Sequence, residues 1–226
     1  MGERIEVATG DRTVGAYLAL PPGGRGPGLV VIQEWWGLVP HIESLCERFA
    51  AEGYVALAPD LYAGRIAEEP DEAARRMQEL QVVDAARVLV GAIDHLLALD
   101  AVTSQQVGLV GFCVGGALAL VAANEAPDRV AATVPFYAVF WYGEPDLSQV
   151  ASPVLMHIGA KDEAVPVERV EEVADRVRAA GAPVSVLVHE GAGHAFMNDG
   201  RPEAYAPEVA AAAWQDTIEF LRDHLG

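Results

Sequence analysis

Apolar and polar residues alternate over residues 4–20, and beyond them apolar residues gather into short unbroken runs separated by longer stretches of helical spacing. The alternation predicts two strands, the second over residues 14–20, ended by Pro21-Pro22-Gly23-Gly24. The run over residues 28–34 is mostly apolar, as in a parallel strand covered on both faces. Further strands are predicted at 54–59, 107–110, 130–137, 153–159 and 184–189. Helical patterns occupy 40–51, 70–99 in two pieces, the alanine- and leucine-rich run after Gly115, 167–180 and 203–224. In the first piece of 70–99, Asp71, Glu72, Arg75, Arg76 and Glu79 are placed on the wetter side. Residues 138–151 and 191–196 read as loops. Strand and helix thus alternate, which implies an α/β fold: a mainly parallel sheet with helices on both faces, in a single domain spanning 1–226. Ligands of such sheets gather at the C-terminal ends of the strands.

Composition narrows the class. Hydrophobic residues make up 52% and charged residues 21%, the balance of a globular chain. No apolar run reaches the roughly 18 residues that span a bilayer, and the N-terminus lacks a signal-peptide core, so a soluble cytoplasmic protein is expected. The net charge of −18 argues against binding nucleic acid or an anionic membrane. Cys46 lies among Ile42, Leu45 and Phe49 on a helix face and is expected to pack there; a disulfide with Cys113 is not expected in a reducing cytosol.

The candidate chemistry begins at Gly111-Phe112-Cys113-Val114-Gly115. Glycines flank a cysteine between a strand and a helix at the spacing of the nucleophile elbow, G-x-S-x-G with sulfur in place of oxygen. A thiol there is exposed to a cleft and lies beside a helix N-terminus that favours thiolate; the plain alternative is a buried cysteine in a small-residue turn. A nucleophilic thiol needs a base, and the base a carboxylate to orient it. Asp162 follows the strand that ends near Gly159, and His194 follows the strand that ends at His189. The order nucleophile, acid, histidine is that of α/β-hydrolases. The other histidines fit less well: His41 and His95 sit in helices, His157 within a strand, His224 at a helix end, and His189 too early to reach over the sheet edge.

With these residues in view, the chain resembles the dienelactone hydrolase family of the α/β-hydrolase fold along essentially its whole length. The carrying motifs are Gln33-Glu34-Trp35-Trp36-Gly37, Ala58-Pro59-Asp60-Leu61-Tyr62, Gly111-Phe112-Cys113-Val114-Gly115-Gly116, Lys161-Asp162 and His194-Ala195-Phe196. The resemblance implies a Cys113–His194–Asp162 triad, an oxyanion hole of the Trp35 and Val114 backbone N–H groups, and a Glu34 that holds the resting thiol until substrate displaces it. It also implies substrate contacts from Tyr137 and Arg75. Trp35, Trp36, Phe140 and Trp141 suggest an aromatic-walled pocket.

The expected activity is ester or lactone hydrolysis through an acyl-thioester on a small-molecule substrate, by a monomer or small homo-oligomer. No cofactor is implied: cysteine and histidine show no clustered ligand spacing, and no GxGxxG follows a strand. Two places depart from the family, Ala195 where a serine stands and Asn198 where an arginine grips the substrate carboxylate. They favour a rival reading as a small-ester carboxylesterase without dienelactone preference; a non-catalytic ligand-binding α/β protein is the rival of a different class. Whether residues 60–80 close over the cleft is left open.

Overall fold

The computed structural model describes residues 2–10 and 12–225. One sheet collects eight strands: β1 (Glu3–Thr9), β2 (Arg12–Ala19), β3 (Gly28–Ile32), β4 (Val55–Pro59), β5 (Val107–Phe112), β6 (Val130–Phe136), β7 (Val154–Gly159) and β8 (Val184–His189). Their order is β1-β2-β4-β3-β5-β6-β7-β8. The hairpin β1–β2 and the pair β2–β4 are antiparallel, and from β4 to β8 every pairing is parallel.

Six α-helices cover the sheet: α1 (Pro40–Ala51), α2 (Pro70–Glu79), α3 (Val82–Ala98), α4 (Val114–Glu125), α5 (Val167–Ala179) and α6 (Pro207–Leu225). Strands β3, β4 and β5 are buried at every position, because helices close both faces and leave no polar side to alternate with. Helix α4 is buried almost all round, as its Ala- and Leu-rich sequence requires. Phe49 of α1 meets Trp214 of α6 at 4.3 Å between ring centroids. Cys46 is fully buried in this packing, and burial, then the nearby Glu43 and Glu47, push its thiol pKa up.

Three boundaries differ from the sequence reading. β3 stops at Ile32, and beyond it Gln33 Oε1 accepts from Leu61 N–H at 3.1 Å and Glu34 Oε1 from Tyr137 OH at 3.1 Å. β5 runs on through Phe112, so the elbow turns on Cys113 itself. The last helix begins at Pro207, a residue suited to a first helical turn because it lacks an N–H. The break between α2 and α3 falls at Leu80 and Gln81, both extended. Among the described residues no helix is long and apolar enough to cross a membrane.

Candidate active site

The elbow is built by close contact between backbones. A Cβ on Gly111 would sit 2.0 Å from the Gly115 carbonyl oxygen, and one on Gly115 would sit 2.4 Å from the Gln33 oxygen and 2.5 Å from the Ile32 oxygen. No side chain fits either place, so β5, α4 and the end of β3 are drawn together. Cys113 is forced to φ +54°, a region costly for a residue with a side chain. Its N–H donates to the Phe136 oxygen at 3.0 Å, and its carbonyl accepts from Val139 N–H at 3.0 Å, which holds the strained turn.

Two other site residues share this backbone state. Tyr137 has φ +38° and Ala195 has φ +58°. The Tyr137 N–H donates to the His157 oxygen at 2.7 Å, fixing the turn after β6 against β7. The loops after β7 and β8 are tied together by Lys161 N–H donating to the Ala192 oxygen at 2.9 Å, and Gly159 admits this approach because a Cβ would meet the Ala192 oxygen at 2.5 Å.

That stitching places Asp162 beside His194. Asp162 Oδ2 lies 2.8 Å from His194 Nδ1, and Oδ1 accepts from the N–H groups of Ala164 at 2.9 Å and Val165 at 2.8 Å. Both carboxylate oxygens are thereby fixed. Burial pulls the His194 pKa down, but hydrogen bonding to Asp162 and to Cys113, together with their charges, outweighs it and raises the value to about 10. The imidazole therefore stands between a carboxylate and the sulfur. The ring of Tyr137 meets it edge-on at 5.0 Å.

Glu34 is 1% exposed, a charge-bearing group almost without solvent. Tyr137 OH donates to its Oε1 at 3.1 Å, and Asn198 Nδ2 donates to its Oε2. The carboxylate of Glu34 thus engages Tyr137 and Asn198, while Cys113 interacts with His194. Burial, then the charge and hydrogen bond of Glu34, hold Tyr137 well above the usual phenol pKa, with Cys113 and Asp162 adding to the effect.

Arg75 is exposed on α2 and is not brought to the site. The neighbouring Arg76 does not lie on the wetter side, which corrects its placement there. Its side chain is 14% exposed and ion-paired with Glu72, while its buried Nε has no hydrogen-bond partner among the described residues. The buried Tyr62 hydroxyl is likewise without a partner; burial raises the Tyr62 pKa, Cys113 raises it further and Arg76 opposes. A cavity of about 490 Å³ at this strand edge is lined by Tyr62 and Arg76 together with Leu61, Arg65, Leu80 and Val88. A signal for Arg76 was available: Ala73, Arg76 and Leu80 fall at helical spacing on one face, and Ala73 is fully buried.

The aromatic wall is only partly assembled. Trp36 is buried against Ala67 and Ala73, with the Arg201 guanidinium 3.6 Å from its ring centroid. Phe140 instead lines a crevice between α4 and α5 beside Leu120 and Val170, and Trp141 pairs with Tyr142. Among the described residues no group of three or more His, Cys, Asp or Glu side chains is placed to hold a metal.

A mainly parallel sheet with a strained cysteine at the β5–α4 turn and an Asp–His pair on the loops after β7 and β8 has the architecture of an α/β-hydrolase. The model of the dienelactone hydrolase family matches residues 14–225, and the chain belongs to that family. It is a hydrolase acting on esters or lactones. It is 36% identical, over the whole of both chains, to "Protein usf" of Aquifex pyrophilus. It is 32% identical to the "Probable 2-oxo-3-(5-oxofuran-2-ylidene)propanoate lactonase" of Bradyrhizobium sp, covering 98% of this chain and 94% of the relative. Its fold is similar to that of the crystal structure of a dienelactone hydrolase from Anabaena variabilis, with a TM-score of 0.71 at 24% identity, covering 100% of this chain and 99% of that one.

Proposed function

We propose that the protein hydrolyses small esters or lactones through a thioester on Cys113, with His194 as acid and base and Asp162 as its orienter. The observation that carries this reading is the imidazole held between the Asp162 carboxylate, at 2.8 Å, and the Cys113 side chain. His194, its pKa raised to about 10, is the group placed to take the proton of Cys113 and free a thiolate.

The thiolate attacks the substrate carbonyl carbon, forming a carbon–sulfur bond while the carbonyl electron pair moves to oxygen. The N–H groups of Val114 and Trp35 receive that oxyanion. Val114 is the first residue of α4, so its N–H has no acceptor within the helix and points outward. As the tetrahedral species collapses, the carbon–oxygen bond breaks and His194 gives its proton to the departing alkoxide. Acylation then removes the thiolate charge that helped to raise the imidazole pKa, leaving Asp162 alone to do so. A less basic, neutral His194 can accept a proton from water, which attacks the thioester and releases acid and thiolate.

Tyr62, whose hydroxyl feels the charge of Cys113, and the Arg76 Nε behind it are two buried donors without partners that an anionic group on the substrate would satisfy. This supports a carboxylate-bearing lactone such as dienelactone. A second reading, hydrolysis of neutral small esters, is favoured by Asn198, whose amide is committed to Glu34 where the family's arginine would grip an anion. Turnover of dienelactone beside 4-nitrophenyl acetate, before and after Cys113 is alkylated and in Cys113→Ala, tests both. Alkylation and the variant should each abolish both activities; ester cleavage surviving either one overturns the thioester mechanism.

A further inference from the structure

Asn198 is an uncharged donor where the family resemblance supplies a charged one, and its side chain is fully committed. It is 2% exposed. Gly200 N–H donates to its Oδ1 at 3.0 Å, which leaves only the amide NH2 to meet Glu34. The amide cannot be turned over without setting Oδ1 against the carboxylate and orphaning the Gly200 N–H. The turn that carries it is closed by Asn198 N–H donating to the Ala195 oxygen at 2.9 Å and Arg201 N–H donating to the Asn198 oxygen at 3.1 Å. Asp199, next in the chain, lies 2.8 Å from His41 Nδ1 and ties the turn to α1. The donor facing Glu34 is therefore preorganised from three sides.

We propose that Asn198 is a positioning residue which, with Tyr137, holds the Glu34 carboxylate off the sulfur, so that Cys113 stays paired with His194 before any substrate arrives. The inference rests on the reading of Cys113 as the nucleophile. Its physical content is a contest of charges around one atom. Cys113 is faced by His194 from the loop after β8, with Asp162 behind it, by Tyr137 after β6 and by Tyr62 after β4, with Arg76 of α2 behind that. Glu34, after β3, is the carboxylate that the family resemblance sets against the sulfur, and a carboxylate beside a thiol opposes its ionisation. Two donors, one on each oxygen, keep it in place. The nucleophile is accordingly not gated: it is ready at rest, and substrate binding has no thiol to release.

The pH dependence of Cys113 alkylation by iodoacetamide reads this out without any substrate. Cys46, fully buried, is the internal control for an intact fold. The wild-type rate should vary by less than about threefold between pH 6.5 and 8, as for a thiolate paired with imidazolium. Asn198→Asp keeps the bond from Gly200 but sets an oxygen against Glu34. Its rate at pH 6.5 should fall about tenfold or more, which for a thiolate largely formed at that pH takes a rise of about two units in its midpoint. Adding Glu34→Gln to Asn198→Asp should restore the rate to within about threefold, because Asn198 acts only through the Glu34 charge. Where Asn198→Asp lets Cys46 react, Tyr137→Phe, which removes the other donor, supplies the same test with the same direction of change. A wild-type profile that climbs like an ordinary thiol overturns the proposal. So does an intact variant within twofold of wild type, or a double variant that is not rescued. If alkylation of Cys113 leaves ester hydrolysis intact, it is the nucleophile reading that fails, whatever the profile.

Discussion

His194 Nδ1 and Asp162 Oδ2 lie 2.8 Å apart although 32 residues separate them in the chain. The aspartate side chain is fully buried, whereas that of the histidine is 26% exposed. The buried partner is fixed by two backbone N–H groups, and the exposed one is thereby oriented with its second nitrogen left for the sulfur. Asp162→Asn would keep the shape but offer Nδ1 a donor in place of an acceptor, selecting the wrong tautomer. We expect kcat to fall by about ten-thousand-fold with the fold intact. Steady-state hydrolysis of 4-nitrophenyl acetate, with circular dichroism as the control, measures it; a loss below tenfold would show that Asp162 does not orient the base.

Gly115→Ala places a methyl group within 2.5 Å of two backbone oxygens at the end of β3. Neither oxygen belongs to a flexible side chain, so β3 and α4 must separate. Overpacking of this kind costs about 1–3 kcal/mol, occasionally more. The same displacement shifts the N–H groups of Trp35 and Val114 relative to each other. The urea midpoint and the hydrolysis rate should therefore fall together, and an alanine variant with wild-type values in both would refute the account of the elbow.

Arg76 and Arg75 are adjacent in sequence and opposite in consequence. Arg75→Ala removes an exposed side chain from α2 and should change KM for a carboxylate-bearing lactone by less than about twofold. Arg76→Ala removes a buried donor worth about 1.5–3 kcal/mol when it meets a charged partner. KM for that lactone should rise about tenfold or more, while KM for neutral 4-nitrophenyl acetate stays near wild type. Equal effects on both substrates would place Arg76 in the scaffold rather than in recognition.

These contrasts also mark how far the sequence was legible. The alternation of strands and helices was readable because each element carries its own period, and the elbow because its two glycines flank the cysteine between a strand and a helix, although the contacts that demand Gly115 come from the distant Ile32 and Gln33. Asp162 and His194 were readable as strand-end residues, since a parallel sheet puts those ends on one rim. Arg76 was misplaced because five charged residues crowd ten positions of α2, and charge was weighted over the inward spacing from Ala73. The link from Asn198 to Glu34 spans 164 residues and depends on the turn at Ala195, whose φ of +58° no residue type announces. The pairing of His157 Nδ1 with His189 Nε2 at 2.8 Å depends on how β7 and β8 sit against each other, which periodicity does not fix.

That histidine pair and His194 give stability opposite dependences on pH. Burial, with the charge of His189 adding, holds the His157 pKa well below 6.5, and burial lowers His189 as well. A histidine lowered on folding binds fewer protons folded than unfolded, so its contribution is complete above about pH 6.5 and is lost as pH falls. His194 is raised to about 10, so its contribution is complete below about pH 6.5 and is lost as pH climbs toward 10. Urea midpoints across this range should decline on both sides of neutrality. His194→Gln should flatten the alkaline limb and spare the acid one. The His157 ring, whose Nδ1 lies 2.8 Å from His189 Nε2 and whose Nε2 lies 3.2 Å from Thr217 Oγ1, should keep the resonances of a neutral imidazole well below pH 6.5. A His157 that titrates near 6.5, or an alkaline limb unchanged in His194→Gln, would contradict the charge balance described for the sheet edge.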